Sequence, residues 1–351
     1  MGFGWLNIYA ASKTDENLHI LDFTTKYGKQ LLWIGFSFPL IVTVLFFNSK
    51  FYERFSSIFY LISILLLLLL FPLGKEINGA RAWFNFGSMS LQPAEFVKVT
   101  SALAIAKLLS DRQYNLNLVK NQIKAFLIIF FPTILIVLQP DPGSALIYLS
   151  FFLVLNREGL TLNYIIFGVI SISLFILTIF FGTQTMLFWL FIIISIIVIY
   201  LIYREGKRLI RFNWHKIVIT YFLVGLFIYG TGFIYENVFK QHHRDRFEVL
   251  LGLKIDTKDI GYNSYQSKLT VSSGGFSGKG FLNGDITKGN FVPEQHTDYI
   301  FSTIGEEWGF LGSGLVVLLF MLMIARIIYQ AETHANKFGR IYGYSLASIL
   351  F

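Results

Sequence analysis

The stretch FVPEQHTDYIFSTIGEEWGFLG, residues 291–312, decides how the rest of the chain is read. It carries four carboxylates (Glu294, Asp298, Glu306, Glu307) and His296 where a long polar segment gives way to an apolar run. An ionised carboxylate at a membrane boundary is costly unless paired or solvated, so its default reading is a functional site. The remainder of the chain then reads as a scaffold that holds this stretch in a bilayer.

Composition supports that reading. The chain is 54% hydrophobic and only 14% charged, against ~25% charged in ordinary soluble domains. Mean hydropathy is +0.60. The absence of cysteine excludes disulfides, thiolate chemistry and cysteine metal sites. The net charge of +8 does not indicate nucleic acid, because the basic residues cluster between apolar runs rather than on one soluble face.

Apolar segments run at 31–48, 55–73, 93–109, 123–138, 144–155, 163–182, 186–203, 216–236 and 303–328, with another from Ile341 to the end. Several approach the ~20 residues that span a bilayer. Gly2–Ala11 reads as the end of a spanning helix and is too short for a signal peptide. The segment 93–109 contains Glu95, Lys98 and Lys107, so it survives as a helix only if that stripe faces protein or water. Before 144–155, Pro140 and Pro142 in Gln139-Pro140-Asp141-Pro142-Gly143 predict a break at the membrane edge or within it. The expected architecture is all-α: a polytopic transmembrane helical bundle forming one membrane domain over 1–351, with one large extracytoplasmic loop at 237–302.

Orientation follows from the basic residues. Fourteen lie in alternate connections, the heaviest cluster being Arg204, Lys207, Arg208, Arg211 and Lys216. Only five (Lys13, Lys26, Lys29, Lys75, Arg81) lie in the short connections of the other side, which is therefore expected outside. The long loop falls on that outer side. Its entrance, HHRDRF at 242–247, carries adjacent histidines that diverge and are expected to be solvated. Its glycine-rich part, SSGGFSGKGFLNG at 272–284, reads either as a loop exposing N–H groups to an anion or as a solvated surface loop. The piece KEINGARAWFNFGSMSLQPAEFVKV, 75–99, reads as an interfacial anchor built on Arg81, Trp83, Phe84 and Phe86. Glu95 and Lys98 in it are i and i+3, so they share a helix face as a structural ion pair or as a cavity wall.

Four blocks resemble the SEDS family in order over about 75–312: NGARAWFNFGSMSLQPAEFVKV, QPDPGSAL, YQSKLTVSSGGFSGKGFLNG and FVPEQHTDYIFSTIGEEWGFLG. The loop wording RFEVLL, YQSKL and GKGFLNG is closer to the RodA branch than to FtsW. The chain starts inside the family's first helix and stops before its final block, so it reads as truncated at both ends. The run from 163 to 236 looks like an added helical pair, and Val271-Ser272-Ser273 replaces the family's usual string before the glycines.

The resemblance implies a peptidoglycan glycosyltransferase of the bacterial cytoplasmic membrane that polymerises lipid II during cell elongation, releasing undecaprenyl pyrophosphate. Asp298, at the position of the family's essential aspartate, is the expected catalytic base; the alternative reading of that residue is a helix cap. Expected substrate contacts are Lys98 first, then Glu95, Arg81, Lys279, Lys268, Arg246, Glu306 and His296. Glu306 and Glu307 also read as the acidic start of a helix, where the positive dipole end favours them. Mg2+ or Mn2+ on Asp298 or Glu294 is compatible with hard oxygen ligands, and Glu294, His296 and Asp298 would share a face if extended; no organic cofactor is indicated. Implied partners are lipid II, a class B penicillin-binding transpeptidase and elongation-complex membrane proteins, with no nucleic acid. The rival readings are a lipid II flippase and a non-catalytic scaffold of a synthase complex.

Overall fold

The computed structural model describes residues 1–13, 22–77, 80–87, 89–205, 207–239, 241, 244, 248, 251, 261–289 and 291–351. Arg246 and the paired histidines at 242–243 lie outside the described residues. Among those described, seven helices are long and apolar enough to cross a membrane: Lys26–Phe46, Ser49–Leu73, Val119–Leu138, Asn163–Phe181, Thr183–Tyr200, Ile217–Asn237 and Ile300–Thr333. Their outward faces are crowded with exposed Leu, Ile, Val and Phe, as lipid contact requires. The chain is a multi-pass helical membrane protein.

It divides into two compact units. The first comprises 1–165, 271–290 and 294–351. It begins with α1 (Gly2–Ser12), α2 (Lys26–Phe46) and α3 (Ser49–Leu73). A small antiparallel sheet follows, β1 (Lys75–Ile77), β2 (Ala80–Phe86) and β3 (Met89–Leu91), in the order β1-β2-β3. The first part of the piece 75–99, expected as an interfacial anchor, is a three-stranded meander held by Phe84–Leu91 and Asn85–Ser90 pairing. The chain is helical in class with this one sheet added.

At the centre of the unit stands α4 (Pro93–Ser110). Its alanines 94, 102, 104 and 106 are buried, and small side chains let neighbouring helices approach closely. Its polar stripe is satisfied, since Lys107 Nζ donates to the Arg54 carbonyl (3.2 Å) and to Ser57 Oγ (3.3 Å). Helix α5 (Val119–Leu138) stops at Gln139, and the double proline produces the expected break. The chain resumes as α6 (Pro142–Leu146), a 3-10 turn (Ile147–Ser150) and α7 (Phe151–Arg157). Asp141 caps α6 by accepting from Ser144 N at 3.2 Å and Ser144 Oγ at 2.8 Å.

The second unit comprises 166–270 and 291–293. It contains most of α8 (Asn163–Phe181), then α9 (Thr183–Glu205), α10 (Lys207–Phe233) with a π turn at Ile234–Val238, and most of α11 (Tyr262–Ser273). The chain then returns to the first unit through the one-turn α12 (Asp285–Lys288), α13 (Ile300–Thr333) and α14 (Lys337–Leu350).

Helix α13 is not straight. Gly309 sits inside it at φ 64, ψ −160, which separates a short segment ending at Trp308 from the long apolar one. Glu306 and Glu307 thus close the first segment instead of opening a helix, and the dipole reading does not apply to them.

Candidate functional site

The kink in α13 is made by the glycine-rich loop docking against it. Lys279 N and Gly280 N donate to the carbonyls of Glu306 (3.0 Å) and Glu307 (2.9 Å). In return Phe310 N and Leu311 N donate to Gly275 (2.9 Å) and Phe276 (3.2 Å). The Lys279 and Gly280 amides of the loop are thus committed to carbonyls within the protein. Gly278 (φ 79) and Gly309 (φ 64) both lie in the left-handed region, and a Cβ on Gly278 would overlap the Glu307 carbonyl. Gly278→Ala is expected to undock the loop, lowering the melting temperature of the purified protein by at least about 5 °C, an effect of ~2 kcal/mol or more. An unchanged melting temperature would show that the close approach is not needed.

Glu306 anchors this docking. Its side chain is fully buried. Oε1 accepts from Lys279 Nζ at 2.8 Å and Ile286 N at 3.0 Å; Oε2 accepts from Thr287 N at 2.8 Å and Thr287 Oγ1 at 2.7 Å. Lys279 also reaches Asp285 Oδ2 at 3.2 Å, and Glu306 in particular holds its ammonium above the usual lysine value. Both residues, expected as substrate contacts, spend their polar atoms on each other and on α12.

The HTD stretch is a compact turn and not an extended strand. Glu294 takes φ 53, and its carbonyl accepts from Thr297 N (3.2 Å) and Tyr299 N (3.4 Å). The turn still gathers the three polar residues. His296 Nε2 lies 3.7 Å from Glu294 Oε2, and Asp298 is near enough to act on the ring electrostatically. Lys26, the first residue of α2, approaches His296 Nδ1 at 3.1 Å. Since an ammonium can only donate, Nδ1 is the acceptor and Nε2–H faces Glu294. Partial burial, reinforced by Lys26, holds His296 below the usual histidine value against the opposing pull of Glu294 and Asp298. Lys26 was read from the sequence only as a loop charge; its place in the cluster needs a contact 270 residues away.

Asp298 is exposed. It is not a helix cap: the N-cap of α13 is Tyr299, and no side chain caps that end. Among the described residues no hydrogen bond or ion pair to its carboxylate occurs. Such a group is free to accept a proton or coordinate a ligand. Among the described residues no cluster of three or more histidine, aspartate or glutamate side chains is arranged to hold a metal ion. A divalent cation here would therefore need oxygens from a substrate or water beside Asp298 or Glu294.

The remaining predicted residues form separate groups. Lys98, 7% exposed, donates to Glu95 Oε1 at 2.8 Å, the pair expected from the i,i+3 spacing. The stretches Gln92-Pro93 and Gln139-Pro140-Asp141 meet, with Gln92 Nε2 donating to Asp141 Oδ2 at 3.0 Å. Gln139 Nε2 donates to the Leu67 carbonyl (2.8 Å), and its own carbonyl accepts from Arg81 N (3.2 Å). The Arg81 side chain is half exposed and lies 3.9 Å from Glu76. Lys268 is exposed on α11 in the second unit. Because successive helices alternate in direction, the start of α4, the sheet and Gln139–Asp141 lie at the same end of the first unit as Lys26 and the HTD turn. An apolar cavity of about 490 Å³, lined by Val44, Tyr52, Leu103, Ile327, His334 and Tyr342 among others, lies toward the far end of α2 and contains none of these residues.

Comparison with known proteins bears on the family and the fold. The family model for FtsW, RodA and SpoVE, described as cell cycle protein, matches residues 1–191 and 188–351. The chain is 29% identical to the peptidoglycan glycosyltransferase RodA of Treponema pallidum, over 96% of this chain and 81% of that protein. It is 28% identical to the peptidoglycan glycosyltransferase MrdB of Escherichia coli K12, over 91% of this chain and 71% of that protein. Among solved structures it resembles a chain from work on the coordination of polymerization and crosslinking by a peptidoglycan synthase complex, with TM-score 0.66 and 22% identity over 99% of this chain and 80% of that one. It also resembles the Thermus thermophilus rod shape determining protein RodA, with TM-score 0.56 and 21% identity over 99% and 77% of the two chains. The chain belongs to the FtsW/RodA/SpoVE family of cell cycle proteins.

Proposed function

We propose that this protein is a peptidoglycan glycosyltransferase of the RodA type, polymerising lipid II on the outer side of the cytoplasmic membrane. The observation that carries the reading is an exposed Asp298 carboxylate with no hydrogen bond or ion pair among the described residues, in electrostatic reach of His296, which Glu294 and Lys26 flank. It is supported by glycosyltransferase relatives matched over most of their length.

In this account Asp298 takes the proton from the 4-hydroxyl of one lipid II as that oxygen attacks the anomeric carbon of the other. The bond from that carbon to the pyrophosphate breaks, and undecaprenyl pyrophosphate leaves with the electron pair. A base on the nucleophile and positive charge on the leaving group are the two requirements of such a step. Lys26, Lys98 and Arg81, at the same end of the first unit, are the cations available for the second. Asp298 or Glu294 would hold a Mg2+ or Mn2+ ion, which would supply further positive charge for the leaving group. The basic connections at the opposite helix ends favour this end as the outer one. A class B penicillin-binding transpeptidase is the proposed partner, since the fold resembles a chain of a polymerising and crosslinking complex.

The test is purified protein in liposomes with labelled lipid II. Glycan strands and released undecaprenyl pyrophosphate are expected. Label crossing the bilayer without strands would instead establish a flippase, and neither product would leave the scaffold reading.

A further inference from the structure

The HTD turn is tied to the Glu306 anchor by a side chain whose sequence context gave no reason to single it out. Gln295 is 2% exposed, three residues before Asp298. Its Nε2 donates to Thr287 Oγ1 at 3.0 Å and to Thr303 Oγ1 at 3.0 Å. Thr287 Oγ1 gives its own hydrogen to Glu306 Oε2 at 2.7 Å. Its lone pairs are therefore what it offers Gln295, which fixes the amide with Nε2 toward the threonine. Thr303, fully buried on the first segment of α13, receives the second hydrogen. One amide thus joins three elements: the turn 294–299, helix α12 and helix α13. The adjacent turn is closed on itself by the Glu294 carbonyl, so fixing Gln295 fixes the start of Asp298's short tether.

We infer that Gln295 is a positioning residue: through Thr287 and Thr303 it clamps the turn that presents Asp298 to the acceptor hydroxyl. The catalytic half of this inference rests on the glycosyltransferase reading; the clamp itself does not. A buried amide whose Nε2 spends both hydrogens on the neighbouring threonines is suited to the task, because small displacements of a reacting group cost rate out of proportion to their size. Gln295 touches no substrate in this account and acts only through Asp298.

The experiment compares wild type, Gln295→Met, Thr303→Val and Thr303→Ser, all close in volume to the native side chains, in hydrogen exchange and in lipid II polymerisation. Gln295→Met and Thr303→Val are expected to speed exchange of the 294–299 amides roughly tenfold. They are expected to lower kcat on the order of 10- to 100-fold with KM within about threefold. Thr303→Ser keeps the hydroxyl and should match wild type in both. Unchanged exchange in the folded Gln295→Met or Thr303→Val protein would overturn the clamp. Faster exchange with kcat retained, or a loss confined to KM, would overturn the positioning role. Should wild type itself make no glycan, the glycosyltransferase reading fails while the exchange arm still decides the clamp.

Discussion

Glu306→Gln is expected to destabilise the protein by about 3–5 kcal/mol, the range for breaking a buried charged pair. The substitution is isosteric, which makes the size of the effect informative. Oε1 accepts from Lys279 Nζ and Ile286 N, with Ser273 Oγ at 3.5 Å, and Oε2 accepts from Thr287 N and Oγ1. Whichever way a glutamine amide is turned, its NH2 faces a backbone N–H, of Ile286 or of Thr287, that it cannot satisfy, at roughly 1–3 kcal/mol before relaxation, and the charge that pairs Lys279 is lost. Lys279 recovers part of its loss, being 28% exposed and still paired with Asp285. At about 2–4 °C per kcal/mol, the melting temperature in detergent should fall on the order of 10 °C. A shift below about 2 °C would mean the anchor does not hold the loop to α13.

Asp298→Asn should do the reverse. The carboxylate is exposed and has no hydrogen-bonding partner among the described residues, so the change should move stability by no more than about 0.5 kcal/mol. Removing a positioned general base costs about 10²- to 10⁴-fold in rate. Two acidic residues eight positions apart are thus expected to fail in opposite ways, one losing the fold and the other only the chemistry. Melting curves and polymerisation rates on the same two preparations check the contrast. Loss of rate in Asp298→Asn accompanied by a large fall in melting temperature would assign Asp298 a structural role.

What the sequence made legible was what depends on local spacing. The Glu95–Lys98 pair follows from i,i+3 geometry, and the break before α6 follows from two prolines in three residues. The spanning segments followed from apolar length. What stayed hidden depends on distant contacts. The meander at 75–91 was masked because aromatic residues beside an arginine satisfy an interfacial anchor equally well, and three-residue strands are too short to show alternation. The glycine-rich loop read equally as an anion site or a surface loop, because local sequence cannot tell whether an amide faces a ligand, water or a carbonyl near residue 306. Glu306 looked like the start of a helix because Gly309, one glycine among 29, gave no sign that it would break α13. Lys26 and Gln295 carry no motif. Their partners, His296 and the pair Thr287 and Thr303, emerge only on folding.

The account turns on Asp298 acting on bound substrate. Its most direct measurement is single-turnover polymerisation of purified lipid II by Asp298→Asn, with lipid II binding determined on the same preparation. The account predicts binding within about threefold of wild type and a rate lowered at least about 100-fold. Glycan strands formed at the wild-type rate by the folded variant would contradict it.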